Sequence, residues 1–408
     1  MIPFKRKESR RQMKQKRNIS IKKQAQKDIE KGNPLLQEVC FPNEITFKEG
    51  EVVQLVGQEG EFVAQAYLAK QNKGIGWVFS RSKDVDFNKS FFLQQFYHAL
   101  ERRQQLMSDE LTNAYRLFNG EGDGIPGLTI DYYAGYVVFS WYSEGIYIYQ
   151  EEILSAFNEV FPDIIGIYEK YRYKREDGQT SKLIRGEEAE EPLIIKENGL
   201  NFAAYLNEGW MTGIFLDQRE VRQALQDRYA AGKTVLNTFS YTGAFSVAAA
   251  MGGASHTVSV DVANRSKDKT KEQFLLNGLD PEEATIRVMD VFDYIQYAKR
   301  KSIQFDVIVV DPPSFARTKK RTFSVSKDYG KMIEDLIDIS APNAVFILSS
   351  NAANYKRKNF REDIDKAFRN KKQSYTLLEE FRLPEDFPIP KGSQTSDYLK
   401  VSIVQKNK

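Results

Sequence analysis

Apolar and polar residues alternate in short runs through Glu51–Val56, Gly60–Leu68 and Gly74–Ser80, with glycines between the runs. A period of two is that of a strand with one buried face. The spacing predicts a small β-barrel of about 50 residues. Across Asn88–Leu106 the apolar positions fall at helical spacing and predict a connecting helix. Strand texture returns over 111–195. Thr129–Tyr133 and Tyr136–Trp141 form a hairpin around Ala134-Gly135, a helix covers Glu151–Val160, and Ile164–Tyr168 is a further strand.

From about Leu193 the pattern changes again. Strands are predicted at Thr234–Asn237, Thr257–Asp261, Thr285–Met289, Phe305–Val310 and Ala344–Ser349. Helices fall between them at Phe245–Met251, Arg265–Asn277, Val291–Arg300 and Lys331–Ile339. Such alternation defines an α/β unit, an open parallel sheet with helices on both faces. Asp397-Tyr398 reads as part of a late hairpin that closes this sheet. The changes of texture divide the chain into a basic flexible tail (1–33), a small β-domain (34–87), a middle α+β domain (88–195) and a C-terminal α/β domain (196–408).

Composition narrows the class. Of 408 residues, 41% are hydrophobic and 28% charged, which suffices to bury a core. No apolar run approaches the ~20 residues of a membrane-spanning helix. The N-terminus is basic with no apolar segment behind it, so a secretory signal is not expected. A single cysteine, Cys40, excludes a disulfide framework and a Cys-ligated metal centre. Two histidines, His98 and His256, leave almost no material for a His-based metal site or a Ser–His–Asp triad. The expectation is a cytoplasmic protein without a metal. The net charge of +3 conceals a split: residues 1–33 carry 12 Lys/Arg against 3 Asp/Glu, and the rest carries 47 against 53. The tail therefore reads as a solvated arm with affinity for a polyanion, and Lys22–Glu30 could become helical on one.

Gly122-Asp-Gly124-Ile-Pro-Gly127 matches G-x-G-x-x-G. Proline stands where a helix should propagate, and a strand follows instead, so the run is a turn and not a dinucleotide fingerprint. The chemistry gathers where strands end. Thr234–Asn237 runs into Thr238-Phe-Ser-Tyr-Thr-Gly243 before a helix, a tight turn that brings backbone close to a ligand. It has one glycine and no G-K-[ST], so it is not a phosphate cradle. The next strands end at Asp261, suited to a ribose diol, and at Asp290, placed to reach an adenine amino group. Phe305–Val310 ends in Asp311-Pro312-Pro313-Ser314-Phe315, where two prolines stiffen a loop, direct Asp311 at one spot and leave Phe315 to stack on a base. All lie outside the carboxyl ends of the strands, where open α/β sheets bind ligands.

Three runs together carry a resemblance: Asn237-Thr-Phe-Ser-Tyr-Thr-Gly-Ala-Phe245, Thr212-Gly-Ile-Phe-Leu-Asp-Gln-Arg219 and Asp311-Pro-Pro-Ser-Phe315. They resemble the class I S-adenosylmethionine-dependent methyltransferases of large-subunit (23S) ribosomal RNA that carry an N-terminal PUA-like domain. The likeness covers about residues 35–408, and Gly120–Leu128 matches that family's middle domain. It implies an RNA-binding PUA-like unit at 34–87, a Rossmann-like methyltransferase domain at 196–408, S-adenosylmethionine as cofactor and 23S ribosomal RNA as partner, with room for a homodimer. It implies that Ser240 and Tyr241 border the methionine part of the cofactor, Asp261 its ribose and Asp290 its adenine. Gln218 and Arg219 then form the outer wall, and Thr238, Phe239, Gly243, Val262, Val291 and Asp311 complete the lining. The catalytic set is Asp311, Pro312, Pro313 and Phe315. The basic stretch Arg317, Lys319, Lys320, Arg321 beside it is expected to meet RNA phosphate.

One departure redirects the chemistry. Members that make 5-methylcytosine need a cysteine, because cytosine C5 becomes nucleophilic only after a thiolate adds at C6. Their cysteine lies just after the strand equivalent to Ala344–Leu348, where this chain reads Leu348-Ser-Ser-Asn351. Ser349-Ser-Asn351 and Lys356-Arg-Lys-Asn-Phe360 instead resemble the 7-methylguanine-forming half of a fused bifunctional enzyme. Guanine N7 already has a free lone pair and needs positioning rather than covalent help. An exocyclic-amine target stays open, since Asp-Pro-Pro-Ser-Phe is close to an Asn/Asp-Pro-Pro-aromatic loop. So does a non-catalytic RNA-binding or ribosome assembly factor. An NAD-dependent oxidoreductase lacks its glycine motif at Thr238–Gly243.

Overall fold

The computed structural model describes residues 16–317, 321–393 and 396–407. Its first unit is a five-stranded sheet in the order Arg17–Ser20, Val52–Val56, Phe62–Gln71, Gly74–Ser80, Leu35–Leu36. This corrects the expected tail at 1–33. Arg17–Ser20 pairs in parallel with Val52–Val56, and Lys23–Glu30 is a helix on the same core. Ile19 and Ile21 alternate, and Ile21, Ala25 and Ile29 recur every fourth residue; all four are buried. The dense charge around them hides that pattern. Residues 1–15 lie outside the described residues.

The second unit is a five-stranded sheet in the order Ser181–Gly186, Gly166–Tyr171, Tyr136–Trp141, Leu128–Tyr133, Ala114–Asn119. Helices Lys89–Met107 and Gln150–Val160 cover one face through Phe92, Phe96 and Phe157. Asn88 caps the first of them by accepting from the Phe91 N–H, 3.2 Å. The other face, through Tyr133, Val138 and Tyr168, packs on Phe202, Leu216, Val247 and Phe274 of the following domain. Gly120–Asp123 is one helical turn before the strand Leu128–Tyr133. A side chain at Gly122 would strike the Pro388 carbonyl at 1.7 Å, so this glycine allows a close backbone approach. Asp123 is held by Arg103 at 2.6 and 3.2 Å. The G-x-G-x-x-G run is thus structural, as its proline suggests. A hairpin, Leu193–Glu197 with Leu200–Ala204, crosses the expected 195/196 boundary.

The third unit carries a seven-stranded sheet. Its strands are β1 (Thr234–Thr238), β2 (His256–Asp261), β3 (Thr285–Val288), β4 (Phe305–Val310), β5 (Ser340–Ser350), β6 (Tyr375–Phe381) and β7 (Lys400–Lys406). They lie in the order β3-β2-β1-β4-β5-β7-β6, with β7 antiparallel to both neighbours. Helices α1 (Ala244–Met251), α2 (Arg265–Leu275), α3 (Val291–Arg300), α4 (Val325–Ile337) and α5 (Arg357–Asn370) lie between the strands in the chain. Val307, Ile308, Val309 and Val310 are wholly or almost wholly buried, as a central parallel strand requires. The order reverses between β1 and β4, and the crevice outside their carboxyl ends is where such sheets bind ligands.

Candidate active site

A cavity of about 340 Å³ opens at that crevice. The turn after β1 forms its floor. Phe239 and Tyr241 hold positive φ (53° and 51°), an uncommon conformation for residues with side chains. The turn is pinned by Ser240 N–H to Val260 O (3.0 Å), Gly243 N–H to Ser240 O (2.8 Å) and Thr238 Oγ1 to Val309 O (2.8 Å). Gly243, at φ 85°, starts α1, and a side chain there would meet Thr270 of α2 at 2.6 Å. Gly243 and Thr238 therefore build the turn from behind, whereas Phe239, Ser240 and Tyr241 line the cavity.

Asp261 ends β2 and lines the cavity. Its carboxylate accepts the Tyr241 N–H (2.9 Å) and the Ala263 N–H (2.8 Å). Two such bonds fix its orientation and leave acceptor positions for further donors. Asp290 is the N-cap of α3: its Oδ1 accepts from Phe292 N–H at 2.9 Å and Asp293 N–H at 3.4 Å. It also lines the cavity, with Val262, Val291 and Phe292.

Asp311, Pro312 and Pro313 close the inner end. Burial pushes the Asp311 carboxyl up to about 6, with the nearby Asp217 carboxyl adding to the rise; hydrogen bonds from Ser349 and Gln218 hold it back. Burial likewise raises Asp217, which accepts from the Tyr398 hydroxyl at 2.8 Å. Gln218 Nε2 donates to Asp311 Oδ1 (3.2 Å) and to Ser349 Oγ (2.8 Å). Gln218 Oε1 is buried with no hydrogen-bond partner, an acceptor at the cavity wall whose cost a ligand donor would remove.

Four expected residues do not line the cavity: Thr238 and Gly243, behind the turn, and Arg219 and Phe315. Arg219 does not line the cavity; it is buried against Asp386, with bonds of 2.8 and 3.2 Å. Its partner lies 167 residues away, so the pair is invisible locally. Phe315 is 62% exposed and sits outside the cavity on a short hairpin, Phe315–Arg317 with Thr322–Ser324. On that side of the cavity the wall carries the rings of Phe292 and Phe323, 5.6 Å apart, instead. Arg317 is exposed on that hairpin, and Arg321 lines the cavity mouth with its guanidinium 4.2 Å from the Phe292 ring centroid. Lys319 and Lys320 lie outside the described residues. Phe215, Asp217, Phe323 and Asn351 also line the cavity. Phe215 and Asp217 stand in the Thr212–Arg219 run, whereas Phe323 carries no signal beyond an apolar residue in a basic stretch.

Cys40 belongs to the N-terminal unit, in a turn where its sulfur accepts from the Gln37 N–H at 3.4 Å. Ser349 occupies the end of β5, buried and hydrogen-bonded. Among the described residues, no group of three or more His, Cys, Asp or Glu could hold a metal ion, and no helix is long and apolar enough to cross a membrane.

The 3-2-1-4-5-7-6 sheet and acidic residues after β2 and β4 define a class I methyltransferase, as the motif resemblance implied. A family model for S-adenosylmethionine-dependent methyltransferases matches residues 165–393, and one for a PUA-like domain matches residues 19–81. The chain belongs to the S-adenosylmethionine-dependent methyltransferase family, with a PUA-like domain before it. It is 49% identical over 392 residues to YwbD of Bacillus subtilis (strain 168), named as a candidate ribosomal RNA large subunit methyltransferase; the match covers 95% of this chain and 99% of that one. It is 32% identical over 363 residues to ribosomal RNA large subunit methyltransferase I of Aeromonas salmonicida (strain A449), covering 88% and 91%. The crystal structure of SMU.776, a candidate methyltransferase complexed with SAH, superposes with a TM-score of 0.90 at 44% identity, over 95% of this chain and all of that one. The PUA-like match begins at residue 19, which agrees with the folded strand at Arg17–Ser20.

Proposed function

We propose that the protein is a cytoplasmic enzyme that methylates large-subunit (23S) ribosomal RNA at guanine N7. The RNA class rests on the names of its relatives over nearly the whole chain. The observation that carries the atom is the thiol-free end of β5, where Ser349 is buried and engaged by Gln218. Without a thiolate, cytosine C5 stays unreactive.

The cavity fits S-adenosylmethionine. Its volume falls in the ~300–1,000 Å³ range of small-ligand sites, its floor is a strained turn that presents backbone, and Gln218 offers an unused acceptor. When bound, S-adenosylmethionine supplies an electrophilic methyl group on a sulfonium. In this reading Asp261, oriented by two backbone N–H groups, receives the ribose hydroxyls. Asp290, Val291 and Val262 border the adenine, and Ser240 and Tyr241 the methionine part. Asp311 and the stiff Pro312-Pro313 loop position the acceptor base. A base methylated at N7 gains positive charge, and a buried carboxylate beside it stabilises that charge more strongly than one in water. Arg317 and Arg321 supply phosphate contacts near the mouth.

A second reading, the exocyclic amine of guanine, has one observation in its favour: Asp311 titrates near 6 and could accept the proton an amine must lose. Ribosomal RNA with single guanines replaced by 7-deazaguanine separates the two, since that analogue lacks only the N7 lone pair. The N7 reading expects methylation to vanish at the replaced position. Continued methylation there, on the exocyclic amine, overturns it.

A further inference from the structure

A second cavity of about 410 Å³ lies beside the first, between the middle sheet and the segment 210–217. The two cavities share Met211, Ile214, Phe215, Asp217 and Asn351. A group entering the second therefore reaches the wall that faces Asp311. Its outer wall comes from a different domain and carries cations, not the apolar lining of a packing defect.

Lys170 is wholly buried, and its ammonium donates to the Gly209 carbonyl at 2.7 Å. No carboxylate forms an ion pair with it among the described residues. Burial first, and the charge of Arg172 second, hold the Lys170 ammonium down to about 8. Arg172 lines the same cavity, and its Nε is buried without a hydrogen-bond partner. Arg116 nearby is satisfied by Asp131 at 2.5 Å, so its charge is already answered. Lys170 is buried and Arg172 half-buried beside it, and only the more distant Glu208 and Glu191 carboxylates offset the Lys170 charge; an anion between the two cations would relieve both desolvation and mutual repulsion. At the rim, Trp210 is 55% exposed on the segment that Lys170 anchors through Gly209. An exposed indole at a cationic cavity offers a stacking face for a base.

We propose that this cavity seats the target nucleotide of an RNA strand, with Lys170 and Arg172 holding its phosphate and Trp210 covering its base. The base leads across the shared wall toward Asp311. This gives the extruded nucleotide a seat that the exposed Phe315 does not provide. The proposal rests on the ribosomal RNA methyltransferase reading and holds for either guanine atom.

The test uses the full-length enzyme, labelled S-adenosylmethionine and unmodified 23S ribosomal RNA. Wild-type transfer to the RNA is measured first; its absence would overturn the methyltransferase reading and the seat with it. Arg172→Gln and Lys170→Gln should each cut kcat/KM for RNA about tenfold or more, the loss of a charged hydrogen bond, and leave the cofactor Kd unchanged. Each lost phosphate contact should also flatten the slope of log affinity against log salt by about 0.7, and Arg172→Lys should restore the slope. A packing defect would not change that slope. Trp210→Ala, on an exposed segment, keeps the test open should a buried variant fail to fold. It should abolish photocrosslinking of 6-thioguanine-substituted RNA to the peptide containing residue 210. Folded variants with wild-type slopes, or crosslinks confined to other peptides in the wild type, overturn the seat while the methyltransferase reading stands.

Discussion

Replacing Asp311 by asparagine should make the protein more stable and less active at neutral pH. The carboxyl titrates near 6 against an ordinary 3.8, chiefly because it is buried. At 1.36 kcal/mol per pKa unit, holding it ionised costs the fold roughly 3 kcal/mol above pH 7. The sign follows from the raised value. The native state binds the proton more tightly than the unfolded chain, so stability is full below about pH 4 and falls as pH rises to about 6. Asparagine does not titrate, so Asp311→Asn should gain on the wild type over that same interval, by roughly 3 kcal/mol in all. Altered hydrogen bonds to Gln218 and Ser349 add an offset that does not vary with pH. Denaturant unfolding of both cofactor-free proteins at several pH values between 4 and 8 measures the difference. Turnover of the variant at saturating cofactor should fall, because the group that faces the reacting base has lost its charge. A stability difference independent of pH, or undiminished turnover, would refute the reasoning.

Asp261→Ala should weaken S-adenosylmethionine binding by roughly 1.5–3 kcal/mol, the worth of a hydrogen bond to a charged group; an unchanged calorimetric Kd in a folded variant removes Asp261 from the cofactor site. Cys40→Ser should leave methyl transfer intact, and RNA containing 5-fluorocytosine should form no covalent adduct with the enzyme; a trapped adduct would restore the cytosine reading. Residues 2–15 hold six Lys/Arg and one Glu, so their deletion should flatten the salt dependence of RNA affinity. Identical slopes for both proteins would make the segment a spectator. Deletion through residue 31 should instead unfold the N-terminal sheet, since it removes buried Ile19, Ile21, Ala25 and Ile29.

The C-terminal sheet is legible because its strands are short apolar runs that end in aspartate or a glycine turn, and Asp261, Asp290 and Asp311 stand where those runs stop. The strand at Arg17–Ser20 is not, because two isoleucines in a run of lysines and arginines weigh little against the net charge. Arg219 is misread for another reason. Its motif places it beside Gln218, but the buried Asp386, distant in sequence, captures its guanidinium. Phe315 follows a proline-stiffened loop, yet the hairpin with Thr322–Ser324 carries it outward. The cavity that holds Lys170 and Arg172 is equally hidden, since it forms only when the middle sheet docks on the segment 210–217.

Nucleoside mass spectrometry of unmodified 23S ribosomal RNA, after reaction with the full-length enzyme and methyl-labelled S-adenosylmethionine, tests the central claim most directly. The account predicts label in 7-methylguanosine, and label in 5-methylcytidine or in a guanosine methylated on its exocyclic amine would contradict it.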